Sequence, residues 1–228
     1  MGLYYKGREN VFGTLAIWEL SEAESELEAL LPKAQTVVAG VKSEKRRKER
    51  MAVQLLLQEV FGLDVCVDHY PNGQPFLQRM AGCNRCNAYM HDSISIAHTR
   101  RFVVALSHPQ KRTGVDIESL DRDFSAVAHK ALSDREISYL STEHSARTLQ
   151  LAILWCAKEA LYKCVSQAGV EFARQMEIDP FTPQESGTLS ACFFENDQTN
   201  DKNRRGTTFF LNYKVIENHI LVYVFAEK

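Results

Sequence analysis

The chain has 228 residues, of which 45% are hydrophobic and 25% are charged, and its formal net charge is −2. This size and composition fit a soluble globular protein with a substantial core, and the near-neutral charge offers no overall attraction for nucleic acid or an anionic membrane. No apolar run reaches the ~18 residues of a membrane span. The first ten residues lack a signal-peptide core, and the six cysteines then indicate reduced thiols, so we expect a cytoplasmic protein.

The first half of the chain predicts a strand, two helices and then more strands. Residues 11–19 are rich in apolar and β-branched residues and predict a strand. A capping box at 21–24 opens a short helix that Pro32 closes, and Ser43 and Gly62 bracket a helix over 44–61. Further strands are predicted at 65–70, 93–97 and 102–106, with a turn at 71–73 and a loop at 79–92.

The second half repeats this order. It predicts a strand at 113–118, a capping box from Ser133 to Glu136, a long helix over 146–167 stopped by Gly169, and a polar loop at 198–206. A closing hairpin is predicted from 207–215 and 220–225. We therefore expect an α+β fold of two similar lobes, 1–108 and 109–228, each a small and mainly antiparallel sheet packed against helices. Ligands commonly bind between such lobes.

Two acids stand on the strand that opens the second lobe. In Gly114-Val115-Asp116-Ile117-Glu118 the alternation places Asp116 and Glu118 on one face, separated by ~6 to 7 Å of strand geometry. Two such carboxylates repel each other unless a cation lies between them, and their hard oxygens suit Mg²⁺. By itself the pattern also fits an exposed strand face with two solvated acids.

A charged patch is predicted on the long helix. Trp155, Glu159 and Lys163 recur every four residues and share one face, with Lys158 beside them. If this face meets the acidic strand, three carboxylates can bind a divalent cation and two lysines can bind phosphate. Charged residues at this spacing are also common as plain surface decoration.

The two segments together, G-V-D-I-E and then W-x-x-K-E-A-x-x-K, resemble the signatures of the 4′-phosphopantetheinyl transferases of the Sfp type. Three shorter segments are similar to other elements of that family. Ser95 to Thr99 resembles its S-H-S stretch, Asn72 to Pro75 its G-K-P turn, and Ser133 to Glu136 its S-x-x-E element. The resemblance covers roughly residues 43–165 and implies a pseudo-dimer with its active site at the lobe interface.

The resemblance implies an enzyme that moves the phosphopantetheine arm of coenzyme A onto a serine of an apo acyl or peptidyl carrier protein and releases adenosine 3′,5′-bisphosphate. It implies Mg²⁺ bound by Asp116, Glu118 and Glu159, with Glu159 also the general base. Lys158 and Lys163 would contact the phosphates, and His98 would bind a phosphate of coenzyme A. Because one chain supplies two lobes, we expect a monomer.

Three positions depart from the family pattern, since Gln54, Gln74 and Ala97 replace groups that help to bind the 3′-phosphate end of coenzyme A. Binding of that phosphate is then either weaker or less selective, so that dephospho-coenzyme A is also accepted. Arg47 and Arg50 share a helix face with Gln54 and offer substitute guanidinium groups for the same phosphate.

Several alternatives stay open at the level of sequence. Another Mg²⁺-dependent phosphodiesterase or nuclease, or a degenerate carrier-protein binder without activity, fits the same acids and lysines. Glu136 is either a capping residue or an acid associated with the metal. Cys83 and Cys86 form a single C-x-x-C that is either an ordinary loop or half of a metal site. The carrier protein and its pathway are not specified.

Overall fold

The computed structural model describes residues 2–10, 12–62, 65–79, 92–195 and 206–228. Within these ranges no helix is long and apolar enough to cross a bilayer. The Cys83–Cys86 motif and most of the two predicted loops lie outside the described residues. The chain divides into two compact units, residues 1–113 with 227–228 (unit 1) and residues 114–226 (unit 2).

In its described residues, unit 1 contains a six-stranded sheet and three helices. The sheet order is β1-β2-β6-β5-β4-β3, and every neighbouring pair is antiparallel. The elements in chain order are β1 (Gly2–Glu9), β2 (Gly13–Glu19), α1 (Glu24–Leu30), α2 (Ala34–Val37), α3 (Glu44–Phe61), β3 (Val65–His69), β4 (Pro75–Arg79), β5 (Asp92–His98) and β6 (Phe102–His108).

Helix α3 forms the core of unit 1 with one face of this sheet. Its apolar residues Met51, Leu56 and Leu57 are fully buried and belong to the same cluster as Ile94 and Val103 of the sheet. The basic run occupies the first two turns of α3 and points to several sides of the helix, with Lys45, Arg46 and Arg50 exposed. This arrangement exposes the basic side chains near the ends of β3 and β5.

Unit 2 has a second sheet with the order β7-β11-β10-β9-β8, and four helices within the described residues. The pairs β8–β9, β9–β10 and β10–β11 are antiparallel. The elements are β7 (Lys111–Ser119), α4 (Ser125–Ala131), α5 (Asp134–Ser138), α6 (His144–Val165), α7 (Phe172–Gln175), β8 (Met176–Ile178), β9 (Ser186–Phe193), β10 (Thr207–Ile216) and β11 (His219–Glu227).

The long helix α6 is the centre of unit 2. Ile153, Leu154 and Leu161 are fully buried in one cluster with residues of β9, β10 and β11. Glu143 caps the helix by accepting hydrogen bonds from the backbone N–H groups of Ser145 and Ala146. Both packing and capping therefore fix the direction of the helix that carries the predicted charged patch.

The α+β class with two mainly antiparallel sheets is confirmed. The boundaries predicted for α3 are also confirmed, as is the capping box between Ser133 and Glu136. Ser43 and Gly62 lie at the two cap positions of α3, but the Ser43 side chain makes no capping hydrogen bond. The first helix begins differently, because Ala23 rather than Ser21 is its N-cap and Glu26 accepts the bond from the Ala23 N–H. Helix α6 ends at Val165, with Ser166 in a left-handed conformation.

Candidate active site

The signature strand and the signature helix meet in unit 2 because Gly114 has no side chain. A Cβ atom at this position would lie 1.9 Å from the carbonyl oxygen of Ala160 and 2.8 Å from the Cβ of Cys164. Strand β7 can therefore approach the backbone of α6 more closely than any other residue would allow. The close approach brings the acids of β7 alongside Glu159 and Lys163.

Three carboxylates of β7 and α6 form what we call the acidic cluster: Asp116, Glu118 and Glu159. Asp116 is 8% exposed, and its Oδ1 accepts a hydrogen bond of 2.8 Å from the Lys163 ammonium, which also donates to the Val115 carbonyl at 3.0 Å. The Oε1 of Glu118 accepts from the Trp155 indole N–H at 3.1 Å. The predicted meeting of strand and helix thus occurs, and Lys163 is part of it.

Burial and mutual repulsion disfavour the charged forms of the glutamates in the acidic cluster. Burial raises the pKa of Glu118 above its ordinary value, and the nearby charge of Asp116 raises it further. Burial also raises the pKa of Glu159, followed by the charge of Asp116 and, more weakly, that of Glu118. Each of the three carboxylates thus lies within electrostatic range of the others, and the cluster holds more negative charge than its burial favours.

The donor chemistry of the acidic cluster fits a hard divalent cation. Within the described residues, the buried Oδ2 of Asp116 has no hydrogen-bond partner, and such an orphaned oxygen is costly unless a cation or donor reaches it. Within those ranges, however, no group of three or more acidic, histidine or cysteine side chains is already gathered for a metal ion. The contacts of Glu118 and Asp116 with cationic side chains would have to give way first.

Lys158 is placed differently from the prediction. Its side chain is fully buried and points into the core of unit 2, where the ammonium donates to Glu136 Oε2 at 2.5 Å. It also donates to the carbonyl oxygens of Ala131, Phe172 and Met176 at 2.7, 3.2 and 2.8 Å. A lysine enclosed in this way has no donor left for a phosphate, so we assign it to the structure of unit 2.

Glu136 is the partner that this buried lysine requires. It is 0% exposed, and besides Lys158 it accepts hydrogen bonds from the backbone N–H groups of Ser133 and Ile178 at 2.8 and 2.9 Å. Of the two roles left open for Glu136, the capping and ion-pairing role accounts for both carboxylate oxygens.

A groove in unit 1 contains part of the predicted coenzyme A set. Its volume is about 1120 Å³, and it is lined by Arg50, Gln54 and His98 together with Arg46 and Glu49. The Glu49 residue is buried, and its Oε1 lies 3.4 Å from the Nδ1 of His98. The groove therefore combines exposed guanidinium groups, a histidine and one buried acid.

The other residues of that set are occupied elsewhere. Arg47 makes a bidentate ion pair with Glu24 of α1, at 2.5 and 2.9 Å, and donates to the Lys42 carbonyl at 2.7 Å. Gln74 lies in the turn before β4, where its backbone N–H donates to Asn72 Oδ1. Among the described residues, neither Arg47 nor Gln74 lines the groove.

Gln54 lines the groove but also has a structural role. Its side-chain amide donates to the Val65 carbonyl at 2.7 Å and so ties α3 to the start of β3.

Two charged residues of these sites were missed at the level of sequence. Arg122 contacts Glu118, and its guanidinium lies 5.1 Å from the ring centroid of Trp155. Its position four residues after Glu118 is visible in the sequence, but a turn rather than a strand or helix separates the two. Glu49 was hidden within the basic run of α3, where alternating charges read as a solvated helix face.

Comparison with known proteins agrees with this geometry. The family model of the 4′-phosphopantetheinyl transferase superfamily matches residues 112–222, a little under half of the chain, and the match contains both β7 and α6. No curated protein matches the chain. Residues 112–222, which hold the whole acidic cluster, are thus similar to the 4′-phosphopantetheinyl transferase superfamily.

Proposed function

We propose that the protein is a Mg²⁺-dependent 4′-phosphopantetheinyl transferase of the Sfp type. It would transfer the phosphopantetheine arm of coenzyme A to a serine of an apo acyl or peptidyl carrier protein and release adenosine 3′,5′-bisphosphate. The observation that carries the proposal is that the superfamily match coincides with the segment whose strand and helix assemble the acidic cluster.

In the proposed reaction the serine oxygen forms a bond to the β-phosphorus of coenzyme A, and the bond from that phosphorus to the adenosine 3′,5′-bisphosphate breaks. We assign to Glu159 the role of the base that takes the serine proton, directly or through a water, because it is the half-buried carboxylate of the signature helix beside the two strand acids. Lys163, with 30% of its side chain exposed, can turn from Asp116 to a phosphate oxygen.

Asp116, Glu118 and Glu159 are the residues that would hold Mg²⁺. When bound, the ion would neutralise the diphosphate and stabilise the charge that develops on the leaving group. The orphaned Oδ2 of Asp116 and the mutual repulsion of the three acids support this assignment.

We further propose that the groove of unit 1 serves the same reaction by binding coenzyme A. Arg50 and His98 both line it and carry donors suited to a phosphate group. The buried Glu49 carboxylate beside His98 opposes an anion there, so the phosphate contact is expected mainly from the exposed Arg50.

The decisive experiment incubates the protein with coenzyme A, Mg²⁺ and an apo carrier protein and records the mass of the carrier. We expect a gain of one phosphopantetheine arm on its serine. Glu159→Gln should lower the rate at least 100-fold, because it removes both the base and a cation ligand. Glu171→Gln is the matched control, since Glu171 is exposed at the start of α7 and lies outside the acidic cluster.

Other outcomes would identify the alternatives. Cleavage of coenzyme A without transfer would indicate a phosphodiesterase. Capture of the apo carrier with no mass gain would indicate a binding protein without activity. Either result, obtained with several apo carriers, would overturn the proposed transfer.

A further inference from the structure

Arg122 occupies a position in unit 2 that the transfer reaction, as proposed above, does not use. It lies in the turn after β7, and its guanidinium forms an ion pair with Glu118 Oε1. The guanidinium also lies 5.1 Å from the ring centroid of Trp155 and 5.3 Å from that of Phe124. It is therefore a cation held directly against the acidic cluster.

Two packed aromatic side chains fix the surroundings of Arg122. Phe124 is 3% exposed and belongs to the core of unit 2, and Trp155 packs against Phe172 with ring centroids 6.1 Å apart. Two fixed aromatic rings thus flank the guanidinium, and stacking on such rings favours arginine over lysine. With 37% of its side chain exposed, Arg122 can still turn outward toward solvent.

We propose that Arg122 is a positioning residue that acts as the built-in counterion of the acidic cluster: it holds Glu118 while no metal is bound, yields Glu118 to a divalent cation, and thereby sets the affinity for that cation. The inference rests on the Mg²⁺ role in the proposed function.

The hydrogen bonds of Glu118 explain how such an exchange can occur without loss of order. Arg122 and the Trp155 indole N–H both reach Glu118 Oε1. When the guanidinium leaves, the hydrogen bond from the Trp155 indole still ties the Glu118 carboxylate of β7 to α6. The Trp155 ring would then lose a charge that had been packed against its face, so its fluorescence should change.

Charge gives the direction of the effect. A guanidinium and a divalent cation on the same carboxylate repel each other, so part of the cation's binding free energy is used to displace Arg122. Removing the positive charge should therefore tighten cation binding, whereas a residue with a purely structural role would weaken binding or leave it unchanged.

The test measures Mg²⁺ binding to the full chain at constant ionic strength, by calorimetry and by the fluorescence of Trp155 in a Trp18→Phe background. Trp18 is the other of the two tryptophans in the sequence and lies in the core of unit 1. For Arg122→Gln we expect Mg²⁺ to bind about three- to tenfold more tightly, because a like charge has left the site. The Mg²⁺-induced fluorescence change should shrink in the same variant.

Two further variants separate charge from packing. Arg122→Lys keeps the positive charge, so its Mg²⁺ affinity should lie closer to that of the wild type than to that of Arg122→Gln. Arg135→Gln makes the same charge change on a partly exposed arginine of unit 2 that pairs with Glu177 and Asp179, and should leave the affinity unchanged.

Unchanged or weaker Mg²⁺ binding by Arg122→Gln would overturn the inference, as would equally tight binding by the lysine and glutamine variants. If Arg122→Gln does not fold, the comparison of Arg122→Lys with the wild type decides, because weaker competition from the unstacked lysine predicts modestly tighter binding. A wild type that binds no Mg²⁺ overturns the inference and the metal assignment together, while the carrier mass assay still decides the transfer itself.

Discussion

The two lysines at the end of the signature helix lie in opposite environments, and this difference can be tested residue by residue. Lys158 is buried with Glu136, and burial lowers the pKa of its ammonium although Glu136 opposes the change. Lys158→Met would leave the Glu136 carboxylate uncompensated in the core. We expect the free energy of unfolding to fall by about 3–5 kcal/mol, measured by urea denaturation.

Lys163→Met is the matched comparison on the same helix. The Lys163 side chain is 30% exposed, whereas that of Lys158 is fully buried, so we expect the loss of Lys163 to cost less stability than the loss of Lys158 while it lowers the transfer rate. The double variant Lys158→Met/Glu136→Leu should recover much of the lost stability, since it removes both buried charges. Equal stability of the two single lysine variants would contradict the structural role of Lys158.

The acidic cluster also predicts how cation binding depends on pH. The pKa values of Glu118 and Glu159 are raised above the ordinary 4.5, mainly by burial and then by Asp116. Protons therefore compete with Mg²⁺ at a higher pH than for exposed glutamates. We expect calorimetry to show that Mg²⁺ affinity falls steadily as the pH is lowered from 8 toward 5.

The same shifts have a consequence for stability. A carboxyl whose pKa is raised in the folded state binds more protons there than in the unfolded chain. The metal-free protein should therefore lose stability as the pH rises from the ordinary glutamate pKa of 4.5 through the raised pKa of the folded state. Added Mg²⁺ should offset the loss at neutral pH. Glu118→Gln, which cannot titrate, should flatten both curves, and an unaltered pH dependence in that variant would show that Glu118 is not responsible.

At the scale of elements, the contact between β7 and α6 depends on Gly114. A methyl group there would meet the Ala160 carbonyl oxygen at 1.9 Å, and a helix backbone cannot move aside without disturbing the core around it. We expect Gly114→Ala to lower the free energy of unfolding by about 1–3 kcal/mol, as overpacking does. Mg²⁺ binding should weaken as well, because the strand acids move away from Glu159.

Gly7→Ala provides the control for this prediction. The three atoms nearest to a methyl group at Gly7 all belong to the outer part of the Tyr5 side chain, which can swing away, and Gly7 belongs to the edge strand β1 of unit 1. It should leave Mg²⁺ binding unchanged. Normal cation affinity in Gly114→Ala would mean that the close approach of β7 and α6 does not position the acids.

Prediction from sequence succeeded for elements whose signals are local. Helix α3 has its cap residues and a complete apolar face within twenty residues, and in β7 apolar and acidic residues alternate from Val115 to Glu118. Strand β1 was missed because it is a polar edge strand defined by pairing with β2, and β9 was missed because small and polar residues dominate it. Such strands exist through long-range hydrogen bonds that no local window contains.

In the candidate site, too, local patterns could be predicted from the sequence and contacts between distant elements could not. The pattern of the signature strand and helix was enough to bring Asp116, Glu118, Glu159 and Lys163 together. Periodicity could not show that Lys158, one residue from Glu159, turns to the core, because a buried cation is feasible only with a partner such as Glu136 from another element. Likewise, the commitment of Arg47 to Glu24 depends on where α1 packs.

At the scale of the whole molecule, the two units divide the proposed work. The groove of unit 1 has the charged side chains suited to a nucleotide phosphate, and the acidic cluster of unit 2 has the ligands for a cation. Changes in the groove of unit 1 should therefore weaken coenzyme A binding and leave Mg²⁺ binding intact, although they should also reduce transfer.

Arg50 and Arg47 of helix α3 test this division with a matched pair. Arg50 lines the groove, whereas Arg47 is fixed to Glu24 and does not line it. We expect Arg50→Ala to weaken coenzyme A binding about tenfold, since it removes a charged hydrogen bond to phosphate, without a change in Mg²⁺ affinity. Arg47→Ala should lower thermal stability and spare coenzyme A affinity.

Comparing coenzyme A with dephospho-coenzyme A in calorimetry identifies the phosphate that Arg50 contacts. If Arg50 contacts the 3′-phosphate, Arg50→Ala loses affinity for coenzyme A but not for dephospho-coenzyme A. An equal loss for both donors would place Arg50 at the diphosphate instead, and no loss for either would remove Arg50 from the binding site.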